Sequence, residues 1–129
     1  MKIIGYIRMG DKTACGGEVV EGIDHTNSYG RPYAFCGARI SCRRGCEIAE
    51  GLPNASAYDK ALVIHGMVTT GGCPCISTLN DIDGKGNETG ADIPETYILN
   101  NGEWVGVKHH AEHDETFDEY FVLTDEQDG

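Results

Sequence analysis

The stretch GDKTACGGEVVEG, residues 10–22, runs from a Gly-Asp turn to a cysteine, then through two glycines into an acidic, β-branched run. Two later stretches repeat the phrase: GARISCRRGCEIAEG at 37–51 and HGMVTTGGCPCIST at 65–78. Displaced by 29 positions, the chain overlays on itself without a gap, so that Glu18 meets Glu47, Gly22 meets Gly51, Tyr29 meets Tyr58 and Gly37 meets Gly66. Character is kept between the identities, as at Val19 and Ile48 or Phe35 and Ile64. An earlier half-unit, IRMGDKTAC at 7–15, matches AFCGARISC at 34–42 with a displacement of 27. Three copies of a strand, a glycine turn and a cysteine are therefore expected.

Repeats usually build open solenoids, but this unit is too short and too few in number to propagate one. The strands EVVE, PYAF, EIAE and ALVI are separated by HTNSYGR and NASAYDK, which read as turns. A hairpin of that size cannot bury a face alone. Three of them leaning around an axis would close one another's edges, giving an all-β fold of short β-hairpin repeats arranged as a pseudo-threefold cone. An ordinary β-sandwich with accidental self-similarity is the alternative, and the gapless overlay disfavours it.

The rest of the composition fits a small β-rich domain. The chain has 129 residues and 18 glycines, with 8% aromatic residues, which favours turns and short strands over long helices. No apolar run reaches the length of a membrane-spanning helix. The opening MKIIGYIRMGDK regains charge at Arg8 and Asp11, too soon for a signal-peptide core, so synthesis in the cytoplasm without a cleaved leader is expected. Residues 1–79 carry seven acids and eight bases (+1), while residues 80–129 carry fourteen acids and two bases (−12), summing to the net −11. Two parts are expected on that basis, a cysteine-bearing cone over 1–79 and an acidic, cysteine-free extension over 80–129. Nucleic-acid binding needs clustered Lys and Arg, and this balance argues against it.

Six cysteines permit disulfides in a secreted domain, or metal ligands and buried thiols in a cytoplasmic one. Cys15 and Cys42 each sit five residues beyond a turn glycine, Gly10 and Gly37, which brings them toward one end of the cone. The third copy has Gly71 at that place, and Cys73 follows two residues later. Cys42 and Cys46 make a C-x3-C grip. Four thiolates from Cys15, Cys42, Cys46 and Cys73 suit tetrahedral zinc, with Cys75 and His65 in reserve. Cys36 is expected to be a small buried residue. Disulfides Cys42–Cys46 or Cys73–Cys75 are the alternative, at spacings tight for unstrained geometry.

Taken together, GDKTACGG, GRPYAFCGARISC, CEIAEG and ALVIHGMVTTGGCPCIST resemble the PAAR-repeat family, the sharpened tip of the type VI secretion spike, over roughly residues 3–79. The resemblance implies a zinc near the point and a broad face seated on the trimeric valine–glycine repeat spike protein, one chain per trimer. It puts Cys15 where the family usually has a histidine, with Cys42 and Cys46 at the next ligand positions. It departs from the family in its second and third turns, Gly37-Ala38 and Gly66-Met67, where only the first repeat keeps Gly-Asp. It also implies a structural rather than catalytic protein, monomeric when isolated. Such a protein is exported through the secretion system without a signal peptide, touches the target membrane transiently, and carries effector or adaptor cargo.

Beyond Leu79 the character changes. NDIDGKGNETGADIP reads as a polar loop or linker, and TYILNNGEWVGV as a hairpin turning at Asn101-Gly102. KHHAEHDET is expected to be solvated linker rather than a metal site. FDEYFVLTDEQDG reads as a strand entering a turn, as at the front of a longer effector. Two other functions compete: a stand-alone zinc-binding interaction module, and a thiol or zinc enzyme using Cys73-Pro74-Cys75. A redox pair normally has C-x-x-C spacing, so the latter fits poorly.

Overall fold

A computed structural model of the chain describes residues 1–42, 44–109 and 120–122. Among these residues there is no helix, and hence none long and apolar enough to cross a membrane. The strands are β1 (Ile3–Gly5), β2 (Lys12–Thr13), β3 (Ser56–Ala57), β4 (Lys60–Ala61), β5 (Cys75–Ile76), β6 (Gly84–Gly86), β7 (Thr96–Asn100), β8 (Glu103–His109) and β9 (Tyr120–Val122). They fall into two compact units, Met1–Ala91 and Asp92–Gly129.

In the first unit the repeat is written in backbone hydrogen bonds. Three turns, Arg8–Asp11, Phe35–Ala38 and Ile64–Met67, are each closed by the N–H of the last residue donating to the carbonyl of the first. Their third residues, Gly10, Gly37 and Gly66, sit at φ 94°, 100° and 91°. A type II turn needs that left-handed geometry, and glycine supplies it without a Cβ clash. Each turn opens a hairpin, closed near its base by N–H donation from Gly10 to Val19 (2.8 Å), Gly37 to Ile48 (2.8 Å) and Gly66 to Cys75 (2.9 Å). Near the tips, Thr13, Ile40 and Thr69 donate to Gly17, Cys46 and Cys73, each at 2.9 Å.

Neighbouring hairpins pair in the same way, and the pairing returns to its start. Ser41 N–H donates to the Glu18 carbonyl, Thr70 to Glu47 and Ala14 to Pro74, all at 2.8 Å. Strand β2 meets β5 with Lys12 opposite Ile76 and Thr13 opposite Cys75, so the third hairpin pairs back onto the first. No hairpin edge in this set is left open, which answers the edge-strand problem for strands of two or three residues.

Inward-facing residues at repeat-equivalent positions form the core. Ile7, Ala34 and Val63 precede the three turns, and Val19, Ile48 and Cys75 follow the three tips; all are buried in one cluster. A second cluster, Ile23, Leu52 and Leu62, is flanked by Tyr6, Tyr33 and Phe35. The turn chemistry differs in one copy. Asp11, with its side chain fully buried, accepts the Arg8 N–H at 2.8 Å and the Arg31 guanidinium at 3.1 Å. The equivalent turns begin and end with the apolar pairs Phe35/Ala38 and Ile64/Met67, which have no buried Arg8 to answer. Burial pushes the Asp11 carboxyl up, and the Arg8 N–H and Arg31 only partly offset it.

The polar stretch after Leu79, read as a loop or linker, is tied to the chain's start. Strand β6 pairs with β1 in antiparallel register, Ile3 opposite Gly86 and Gly5 opposite Gly84. Asn80 Oδ1 accepts the Gly5 N–H at 2.8 Å, and the Asp81 carboxylate accepts the N–H groups of Lys2 and Ile3. The compact unit therefore runs past the repeats, to Ala91.

The second unit is an antiparallel sheet in the order β7-β8-β9. Asn101 and Gly102 connect β7 to β8 at φ 53° and 82°, the two left-handed residues of a type I′ hairpin turn, as expected from Asn-Gly. Val105 and Val107 are buried, while Ile98, opposite Val105, and Leu99, on the other face, are each exposed. Pro94 packs over β8 at Gly106, where a Cβ would collide with the proline ring. Strand β9 lies within the segment read as a terminal strand. Residues 110–119 and 123–129, including most of KHHAEHDET, lie outside the described residues.

Candidate metal centre

The hairpin tips bring four of the six cysteines to one end of the hairpin set. Thr13–Gly17 carries Cys15, Ile40–Cys46 carries Cys42 and Cys46, and Thr69–Cys73 carries Cys73. Two positional classes result. Cys15 and Cys42 follow the first tip residue by two places, whereas Cys46 and Cys73 are the residues that close their tips, a place held by Gly17 in the first copy. Cys73 is therefore the counterpart of Cys46, not of Cys42.

The sulfurs form two pairs. Cys15 Sγ and Cys73 Sγ lie 2.9 Å apart across the first and third hairpins. Cys42 Sγ accepts the Cys46 N–H at 3.3 Å inside the second. Cys46 Sγ also faces the third tip, since a Cβ at Gly71 would come within 3.0 Å of it. Among the described residues, no group of three or more His, Cys, Asp or Glu side chains converges closely enough to hold an ion.

The surroundings of each pair shift its two thiols in opposite directions. Burial pushes the Cys15 thiol up, but hydrogen bonds from Cys73, Thr13 and the Gly17 N–H outweigh it and hold Cys15 below the usual thiol range. Cys42 is lowered by its contact with Cys46 and by the N–H groups of Cys46, Arg44 and Gly45. The partners move the other way: Cys73 is raised by burial and by Cys15, and Cys46 by Cys42. Thr13 Oγ1 lies 3.2 Å from Cys15 Sγ and Thr69 Oγ1 lies 3.3 Å from Cys73 Sγ, so equivalent threonines line both sulfurs of the inter-hairpin pair. Soft sulfur donors presented with backbone N–H groups fit a thiophilic dication such as zinc.

The two reserve ligands are placed elsewhere. Cys75 is fully buried in the main core cluster, where burial pushes its thiol up to about 12, the behaviour of an inert packing residue. His65 is buried, and its Nδ1 accepts the Ser77 N–H at 3.0 Å beside Asn80 Nδ2 at 3.3 Å. It braces the chain leaving the third hairpin. Cys36, expected to be buried, is exposed. Its Cβ lies over Gly51 and its thiol reaches the Ile48 carbonyl at 4.0 Å, whereas its repeat mate His65 is buried with the Ser77 N–H as a partner.

A family profile described as the PAAR motif matches residues 9–77, the span from the first turn through the third hairpin. No curated protein and no solved structure matches the chain.

Proposed function

Because the chain belongs to the PAAR-motif family, we propose that it forms the tip of a type VI secretion spike. In this reading the three hairpins make a pseudo-threefold cone whose broad face seats on the trimeric valine–glycine repeat spike protein, one chain per trimer. The observation that supports it most is the recurring 2.8 Å bond between each hairpin and the next, which returns from the third hairpin to the first. A trimer presents every contact three times. A single chain can answer each copy only if it repeats itself, and strand addition is the economical way to extend a sheet across such a joint.

Cys15, Cys42, Cys46 and Cys73 would hold zinc at the narrow end. A bound zinc supplies folding energy that a tapering tip cannot draw from burial. The tip cysteines would contribute soft donors, and the threonines and N–H groups would keep the sulfurs oriented. Cargo would be carried through the acidic segment 80–129 that follows the third hairpin, and export would follow the spike itself without a signal peptide. No residue is assigned a catalytic role.

Mixing the purified chain with the cognate trimeric spike protein and measuring mass in solution tests the seating. A complex of about one chain per trimer is expected from symmetry matching; absence of a complex, or three chains per trimer, would overturn it. Metal analysis tests the centre separately. About one zinc per chain is expected, lost in Cys42→Ser. Zinc retained by that variant would remove Cys42 from the site.

A further inference from the structure

We propose that Cys15 and Cys73 are an oxidation site: in the metal-free chain, a two-electron oxidant such as hydrogen peroxide closes them into a disulfide that staples the first hairpin to the third. Their sulfurs are 2.9 Å apart, although the two residues stand 58 positions apart in the sequence. The backbone holds them in register. Thr13 is paired with Cys75, and the Ala14 N–H donates to the Pro74 carbonyl at 2.8 Å, so each cysteine is flanked by a clamped neighbour. Closing the bond needs a small side-chain adjustment rather than a rearrangement of strands, the condition a disulfide imposes.

Exposure divides the roles. Cys15 is exposed and Cys73 is buried, so the oxidant meets Cys15 first. The Cys15 sulfur attacks one peroxide oxygen, the O–O bond breaks, and Cys15 becomes a sulfenic acid as the first water leaves. The Cys73 sulfur then attacks Cys15, the S–O bond breaks, and the departing hydroxyl takes up the Cys73 proton as a second water. One peroxide is reduced to two waters and two thiols become one disulfide. The pairing differs from Cys42–Cys46, whose bridge would close a loop inside one tip, and from Cys73–Cys75, where Cys75 is packed in the core.

The cross-link does not depend on the proposed zinc site. Its consequence for that site does rest on the zinc reading: a sulfur held in the disulfide is no longer a thiolate ligand, so oxidation and metal binding at Cys15 and Cys73 exclude each other.

The test uses the full chain stripped of metal with a chelator, treated with hydrogen peroxide, and digested without reduction for peptide mass mapping. A linked pair of peptides carrying Cys15 and Cys73 is expected, lighter by two hydrogens and separated by dithiothreitol. Cys36→Ser should leave that link intact, because the exposed thiol at 36 takes no part. Links confined to Cys42–Cys46, or Cys15 recovered as sulfinic acid with Cys73 still free, would overturn the proposal. The unmodified chain suffices for the mapping, so a variant that fails to fold does not decide it. A zinc-loaded sample run in parallel should resist cross-linking. If zinc gives no protection while the metal-free chain still forms the Cys15–Cys73 link, the zinc reading fails and the oxidation site stands.

Discussion

Residues up to Ala91 are held together by strands of two or three residues, whereas the unit from Asp92 onward contains strands of five and seven. Strand length alone would favour the second unit as the more robust one. The burial pattern points the other way. The short-strand unit buries Ile7, Val19, Ala34, Ile48 and Val63 almost completely. The long-strand sheet leaves Ile98 and Leu99 about half exposed (48% and 59%) and buries Val105 and Val107. The difference is one of closure. Pairing between hairpins far apart in sequence encloses a core, while a local meander joined by a type I′ turn forms readily but covers less apolar surface.

The comparison breaks first in the core of the repeat unit. Ile48 is 1% exposed and contacts the cluster formed by the other two hairpins. Ile48→Ala should cost about 2–5 kcal/mol through lost transfer energy and an unfilled cavity. The fully buried Cys75 provides the reporter, since its thiol reacts only when the unit opens. Labelling of the Cys75 peptide across a denaturant series should shift to markedly lower denaturant. An unchanged midpoint would mean that the hairpins do not share one core.

A smaller effect is expected in the second unit. Val107→Ala, at a position 1% exposed, should cost about 1–3 kcal/mol, while Leu99→Ala on the outward face should change stability by less than ~0.5 kcal/mol. The single tryptophan, Trp104 on β8, gives a fluorescence signal for this sheet. Equal effects from the two substitutions would show that β7 has a covered face.

Much of this contrast can be read from residues alone, because its causes are local. Gly10, Gly37 and Gly66 mark the turns, and Asn101-Gly102 marks the later hairpin, since each backbone conformation has few residues that accept it. The register of the third tip was harder. It closes at Cys73 after three intervening residues, whereas the second tip closes at Cys46 after five, so a gapless overlay at 29 places Gly71 against Cys42 and hides the match of Cys73 to Cys46. Aligning on the closing residue and the apolar position two further on, Val19, Ile48 and Cys75, would have revealed it. The β1–β6 pair was not legible at all. Gly84-Lys85-Gly86 has no alternating pattern, and what fixes it is Asn80 and Asp81 binding N–H groups almost a full domain away in sequence.

That last contact also yields the smallest and most specific prediction. Asp81 sits at φ 65°, donates its own N–H to the Ile3 carbonyl at 2.8 Å, and accepts the N–H groups of Ile3 and Lys2 on its carboxylate. Those two donors hold its carboxyl below the ordinary value. A carboxylate with a depressed folded-state pKa contributes stability that is fully present above its unfolded value, roughly pH 4, and is lost as the pH falls through the folded value. Asp81→Asn keeps the shape and tolerates the left-handed backbone, but it removes the charge. The melting temperature of the native chain should exceed that of the variant at neutral pH, and the gap should narrow toward zero on acidification below the carboxylate range. A gap that stays constant down to strong acid would mean that Asp81 anchors the N-terminal strand by shape alone, without its charge.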